Sequence, residues 1–271
     1  MLERLELSKH LLRTSARKLL RRAIPKPLQF EPYMPNWVMR ETNCVVRSGP
    51  FQGMKYTSKS AGSVLIPKLL GIYERELHPV LEYAISHPFQ VIVDIGAAEG
   101  YYCVGLARRI PQTRVFAYEM DEAGRRLMKE MASLNHVSDR LEIRGLCTME
   151  EMNSVLDASV PTLLICDVEG AEAYLLDPLR VPALVPMHIL VELHDFVLGG
   201  LSDVMRSRFQ ATHEIEHIWQ EGRSRSDFPY RSFYTRCFPS YMDIAVSEGR
   251  PCRMSWYWML PKQGPGAPAA P

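Results

Sequence analysis

Between residues 91 and 194 the chain alternates short apolar, β-rich runs with stretches of helical pattern: VIVDIG, YYCVGLARRI, VFAYEMD, EAGRRLMKEMASLN, LEIRG, an acidic helical segment, TLLICD, a helix around Glu172–Leu176 and HILVEL. Strands that are apolar at nearly every position must be buried on both faces, and intervening helices supply that cover when they cross over from one parallel strand to the next. Such crossovers are right-handed, so the pattern predicts a doubly wound α/β sheet, mostly parallel. Beyond it, LSDVMRSRFQ reads as a helix, and THEIEHIW and SWYWML read as two strands that form an antiparallel edge.

The 271 residues suffice for one large domain. The expected organisation is a basic amphipathic helix at 1–24, a small N-terminal cap rich in proline, aromatic and turn residues at 25–62, the main domain at 63–262 and a disordered Gly/Pro/Ala tail at 263–271. The helix carries Leu5, Leu12 and Leu19 on one face. It is read as a solvated helix packed on its own domain or on a partner, with peripheral contact to an anionic membrane surface as the alternative. A formal net charge of +1 gives no global field for nucleic acid, which is not expected as a partner. The six cysteines are scattered without a CxxC pair and are read as reduced core residues. With no apolar run long enough for a membrane span, the expected location is cytoplasmic, at the membrane surface if the basic helix binds there.

The sharpest local motif is VIVDIGAAEGYYCVGLA, a strand that ends at Asp94 and turns through Gly96 and Gly100 into a helix. Glycines allow a tight turn and let a ligand approach the backbone, and the helix start presents free N–H groups. The spacing Asp-x-Gly-x-x-x-Gly is not the Gly-x-Gly-x-x-Gly of dinucleotide sites, which disfavours a nicotinamide oxidoreductase. The next strand delivers Glu119 at the distance where an open α/β sheet brings a carboxylate to ribose hydroxyls.

These motifs resemble the class I S-adenosylmethionine-dependent methyltransferases, whose fold is Rossmann-like, and within them the FkbM type. The residues that carry the resemblance are DIGAAEGYY at 94–102, YEMD at 118–121, Asn135, DVEGAE at 167–172 and VELH at 191–194, covering about 90–200 well. The resemblance implies S-adenosyl-L-methionine as cofactor. It places Gly96, Ala97, Gly100 and Tyr101 around the methionine moiety, Glu119 and Met120 at the ribose, Asp94 as an orienting group and Tyr73 and Glu74 as closing residues. Gly145–Thr148 would border the adenine.

Asp167 and the Glu192–Asp195 segment fall at the carboxyl ends of the fourth and fifth strands, the ligand-binding edge of such a sheet. Methyl transfer to a hydroxyl requires that the acceptor be held and its proton removed. His194 is nominated as general base because imidazole titrates near neutrality, and Asp167 as the acceptor contact. The alternative is ligation of a divalent cation such as Mg by Asp167, His194 and Asp195. Glu169 and Glu172 read as capping carboxylates, and His213 and His217, even-spaced on one strand, as a solvated face. The expected activity is O-methylation of a saccharide or other small metabolite. N-methylation and a non-catalytic nucleoside-binding or scaffold protein are the rivals.

Overall fold

The structure is a computed structural model, and residues 30–61 and 63–263 are described. The expected helix at 1–24 and residues 264–271 of the expected tail lie outside them. Seven strands form one sheet: β1 (Val91–Ile95), β2 (Arg114–Tyr118), β3 (Leu141–Arg144), β4 (Thr162–Cys166), β5 (His188–Glu192), β6 (His213–Trp219) and β7 (Ser255–Pro261). Their order is β3-β2-β1-β4-β5-β7-β6. The first five run parallel, whereas β7 pairs antiparallel with both β5 and β6. The α/β sheet is therefore mostly parallel as expected, with its antiparallel strand inserted one place in from the β6 edge.

Alternate residues of each central strand feed opposite cores, because successive side chains in a strand point to opposite faces. Ile92 and Leu163 join one apolar cluster, and Val93, Phe116 and Leu164 join the other. The helix Tyr101–Arg109 follows β1 directly, and Glu122–Leu134 follows β2. The second starts at Asp121, whose carboxylate accepts the N–H groups of Ala123 at 3.1 Å and Gly124 at 3.3 Å. That is an N-cap, and it fixes the chain direction immediately after Glu119.

Among the described residues of the segment read as turn-rich, Phe30–Thr42 form a helix in spite of Pro35. Met34, Trp37 and Val38 bury one face of it at i, i+3, i+4 spacing, a signal present in the sequence but masked by the prolines. After it, Val45 bridges Lys55 and the loop packs Phe51 and Tyr56 into the first core. The cysteines depart from a uniform core role: Cys103, Cys147 and Cys166 are buried, but Cys237 and Cys252 are exposed. Among the described residues no helix is long and apolar enough to cross a membrane.

Candidate functional site

The strand order reverses between β1 and β4, and in an open α/β sheet the crevice at that switch point, outside the carboxyl ends of the strands, is where ligands bind. Here the two strand ends nearly touch. Gly96 has φ +85°, and a Cβ on it would lie 1.7 Å from the carbonyl oxygen of Asp167, so only glycine fits. Its N–H and that of Ala97 are held by the Tyr118 carbonyl at 2.9 and 3.0 Å. Gly100, at φ +95°, starts the helix whose first residue, Tyr101, packs its ring against Phe51 and Tyr73.

Asp94 is buried and accepts the N–H of Cys103 at 3.1 Å, so its carboxylate caps the following helix. Burial raises its pKa from 3.8 to about 7. The folded protein thus retains a proton that the unfolded chain has already released, and Asp94 adds stability below about pH 4 that is lost as the pH rises through about 7. Asp94→Asn, which keeps an acceptor for Cys103, is expected to raise the urea midpoint at pH 8 and not at pH 4. A midpoint unchanged at pH 8 would contradict this.

Glu119 lies just beyond β2, where its carboxylate accepts the N–H groups of Ala98 at 2.8 Å and Asp121 at 2.6 Å. It is therefore fixed over the glycine turn before any ligand arrives. Met120 beside it is 74% exposed and Leu146, after β3, 64% exposed, two apolar side chains left bare near the position expected for a base.

A buried network that the sequence did not disclose ties this turn to the N-terminal segment. Glu99 is fully buried and pairs with Lys68 Nζ at 2.6 Å. It also accepts Ser60 Oγ at 2.5 Å, the Ala61 N–H at 3.1 Å and the Tyr56 hydroxyl. Although burial works against the charge, Lys68 and these donors hold its carboxyl below the usual range.

Across the crevice, Asp167 follows β4, and Glu192 and His194 close β5. His194 is buried, and its Nδ1 lies 2.6 Å from Oε1 of Glu172, itself without exposure. Glu172 is thus the partner that fixes the imidazole, and not simply a cap. The other nitrogen, Nε2, faces Asp167 Oδ1 at 3.6 Å and Glu169 Oε2 at 3.4 Å. Burial alone would lower the His194 pKa, but the bond to Glu172 and the Asp167 and Glu169 carboxylates outweigh it and raise the value above 6.5. Burial and the Glu74 carboxylate push Asp167 up to about 6. Burial, with Asp167 and Glu74 facing it, drives Glu192 well above the carboxylate range.

A cation in this acidic cluster is Arg250, in the loop before β7. It donates to Glu192 at 2.8 Å, to the Tyr73 hydroxyl at 3.2 Å and to Glu74. Glu74 also accepts the Tyr102 hydroxyl, and its own N–H is held by Glu248 at 3.0 Å. Tyr73 and Glu74 accordingly lie beside this cluster, engaged by Arg250 and Tyr102. Three non-glycine residues with left-handed backbone, Glu74, Ala98 and Glu169, border the crevice. Such strain persists where surrounding structure enforces it, commonly at functional sites.

Asp195 does not join them. Its Oδ1 accepts the N–H and hydroxyl of Ser202 at 3.0 and 3.1 Å, holding the start of the helix Leu201–Phe209, and its carboxylate is not among the clustered donor atoms. Glu192 takes that position: ligand atoms of Asp167, Glu192 and His194 all lie within 4.8 Å of one another. Asp167 Oδ1 is buried and accepts no hydrogen bond, which suits a cation. His213 is also corrected, since it is buried with Nε2 3.0 Å from the Met187 carbonyl instead of solvated, remote from the site.

Fold and site together define a doubly wound α/β protein with an acidic ligand crevice at its switch point. Neither a family model nor a curated protein matches the chain. Among solved structures, the chain is similar to the METTL16 MTase domain at 14% identity, covering 83% of this chain and 79% of that one, with a TM-score of 0.49. It is similar also to the O-methyltransferase from Bacillus cereus in complex with SAH, at 13% identity, 55% and 74% coverage and a TM-score of 0.41. A third is the SAM-dependent O-methyltransferase from Thermotoga maritima, at 14% identity and a TM-score of 0.43, where the match covers 68% of this chain and 64% of that chain. Likenesses this distant bear on neither substrate nor activity.

Proposed function

We propose that the chain is an S-adenosyl-L-methionine-dependent methyltransferase of the FkbM type that O-methylates a saccharide or other small metabolite. One observation supports the reading: a glycine turn with a fixed carboxylate at the exit of the next strand, Glu119, lies across the switch-point crevice from an Asp167–His194–Glu172 array. The motifs DVEGAE and VELH, on which the FkbM resemblance rests, supply that array.

Gly96–Tyr101 and Glu119 would hold the cofactor, which would supply a methyl group on a sulfonium, a cation that nearby carboxylates would favour. Displacement on it is in-line, so the protein's work is positioning and proton removal. Asp167, at the open side of the array, orients the acceptor hydroxyl. Nε2 of His194 takes the proton, and Glu172 holds Nδ1–H so that Nε2 is the free nitrogen.

The test is calorimetry with S-adenosylmethionine followed by methyl-transfer assays on His194→Gln and Glu172→Gln. His194→Gln is expected to lose about 10²–10⁴-fold in kcat with cofactor affinity retained. In the native protein kcat should rise with pH through a value above 6.5, because only the neutral imidazole accepts a proton; Glu172→Gln should move that rise to lower pH. Failure to bind S-adenosylmethionine would sink the reading, binding without turnover would favour a non-catalytic site, and turnover indifferent to His194 would favour a different base.

A second reading has its own support in the Asp167, Glu192 and His194 donor set. A divalent cation there would lower the acceptor's pKa in place of a histidine base. Loss of activity on chelation, restored by Mg²⁺, would select this route.

A further inference from the structure

Next to the array, the chain exposes three consecutive apolar residues, Phe196 at 50%, Val197 at 54% and Leu198 at 42%. Single exposed apolar side chains are ordinary, but an uninterrupted run of them forfeits burial unless something covers it. The run is not loose. The N–H groups of Val197 and Leu198 both bond the His194 carbonyl at 2.9 Å, and Leu201 N–H bonds the Leu198 carbonyl at 3.1 Å. Asp195 pins the far end through Ser202. The backbone here is hydrogen-bonded while the three side chains remain about half exposed.

Their position ties them to the reacting centre. The Phe196 ring centroid is 5.8 Å from that of His194. Val197 lies against the turn that carries Glu169, since a Cβ on Gly170 would stand 2.8 Å from Val197 Cγ1.

We propose that Phe196, Val197 and Leu198 form the acceptor-binding wall, and that the acceptor carries its hydroxyl on an apolar aromatic body, as a phenol does. This rests on the methyltransferase reading and narrows its substrate class away from a bare saccharide. A saccharide laid on this wall would lose water from its hydroxyls without gaining partners, whereas an aromatic ring gains area and an edge or offset contact with Phe196. The acceptor's own chemistry agrees. A phenolic proton has a reference pKa of about 10, well below that of water at about 15.7, so less help is needed to remove it. In the transfer, the phenol O–H bond breaks as the O–CH₃ bond forms, the C–S electron pair stays on sulfur and the proton goes to the protein.

The experiment uses the full chain, radiolabelled S-adenosylmethionine and two acceptors, 4-propylphenol and methyl β-glucoside, with native protein and a triple variant, Phe196→Ser, Val197→Ser and Leu198→Ser. Binding of 4-propylphenol to the S-adenosylhomocysteine-loaded protein is measured beside turnover. Expected are binding and methylation of the phenol by the native protein, with Kd and KM raised at least about tenfold in the variant and cofactor affinity unchanged. Phenol binding that is absent, or equal in both proteins, overturns the proposal, as does preference for the glucoside. A native dimer that the variant converts to monomer would assign the wall to a second copy of the chain and overturn it too. Absence of cofactor binding would instead sink the underlying reading, which keeps the two failures distinct.

Discussion

Gly96→Ala is expected to be among the most damaging single substitutions in the protein, costing more than about 4 kcal/mol of unfolding free energy and, under the proposed function, abolishing S-adenosylmethionine binding. Left-handed backbone by itself costs an alanine about 1–2 kcal/mol. The larger part is steric, because a Cβ 1.7 Å from the Asp167 carbonyl oxygen cannot be accommodated without parting the ends of β1 and β4. Asp167 N–H donates to the Ile95 carbonyl at 2.9 Å at that junction, so this bond is strained or broken first. The measurement is urea unfolding, with Gly145→Ala as control. Nothing lies within 4 Å of a Cβ at Gly145, and that variant should stay close to native stability. A Gly96→Ala protein of native stability would show that the two strand ends are not in contact.

Arg250→Ala is the second. Its guanidinium faces Glu74 and Glu192, each 2% exposed, and its removal leaves buried carboxylates without a cation. Breaking one side of a buried pair in this way costs about 3–5 kcal/mol. The loss should be greatest near neutral pH and smaller in acid. Glu192, already raised well above the usual range by burial and by Asp167, then takes a proton in place of the missing charge. Adding Glu192→Gln to Arg250→Ala should restore part of the stability, whereas independent sites would give additive losses. Denaturation midpoints of the four proteins at pH 5 and pH 8 provide the check. Additive losses, or a deficit that does not shrink in acid, would mean that Arg250 does not neutralise Glu192.

Much of this could be read along the chain. Continuous apolar runs with helices between them dictate a parallel sheet, and the exits of those runs place Asp94, Glu119, Asp167 and His194 at its carboxyl edge. Local chemistry was also legible, as where Asp121 caps the helix after Glu119 and where only a glycine permits the turn after Asp94. The helix Phe30–Thr42 was obscured because its prolines outweighed a correct apolar spacing.

What remained hidden were partners chosen by folding. Arg250 meets Glu74 across 176 residues of sequence, Lys68 meets Glu99 across 31, and His194 meets Glu172 across 22. No periodicity records such pairs, since ion pairing depends on distance in space and on burial, neither of which a charged residue reveals by its neighbours. The same reason explains the exchange of Asp195 for Glu192 in the donor set. Strand alternation sends one side chain into the cluster, and the turn that follows sends the other to a helix start. The amino-acid order by itself determined the sheet and the edge at which chemistry could occur. The tertiary structure alone decided which carboxylates share that edge, which of them burial pushes upward in pKa and which histidine nitrogen faces Glu172, because those properties belong to groups brought together out of water.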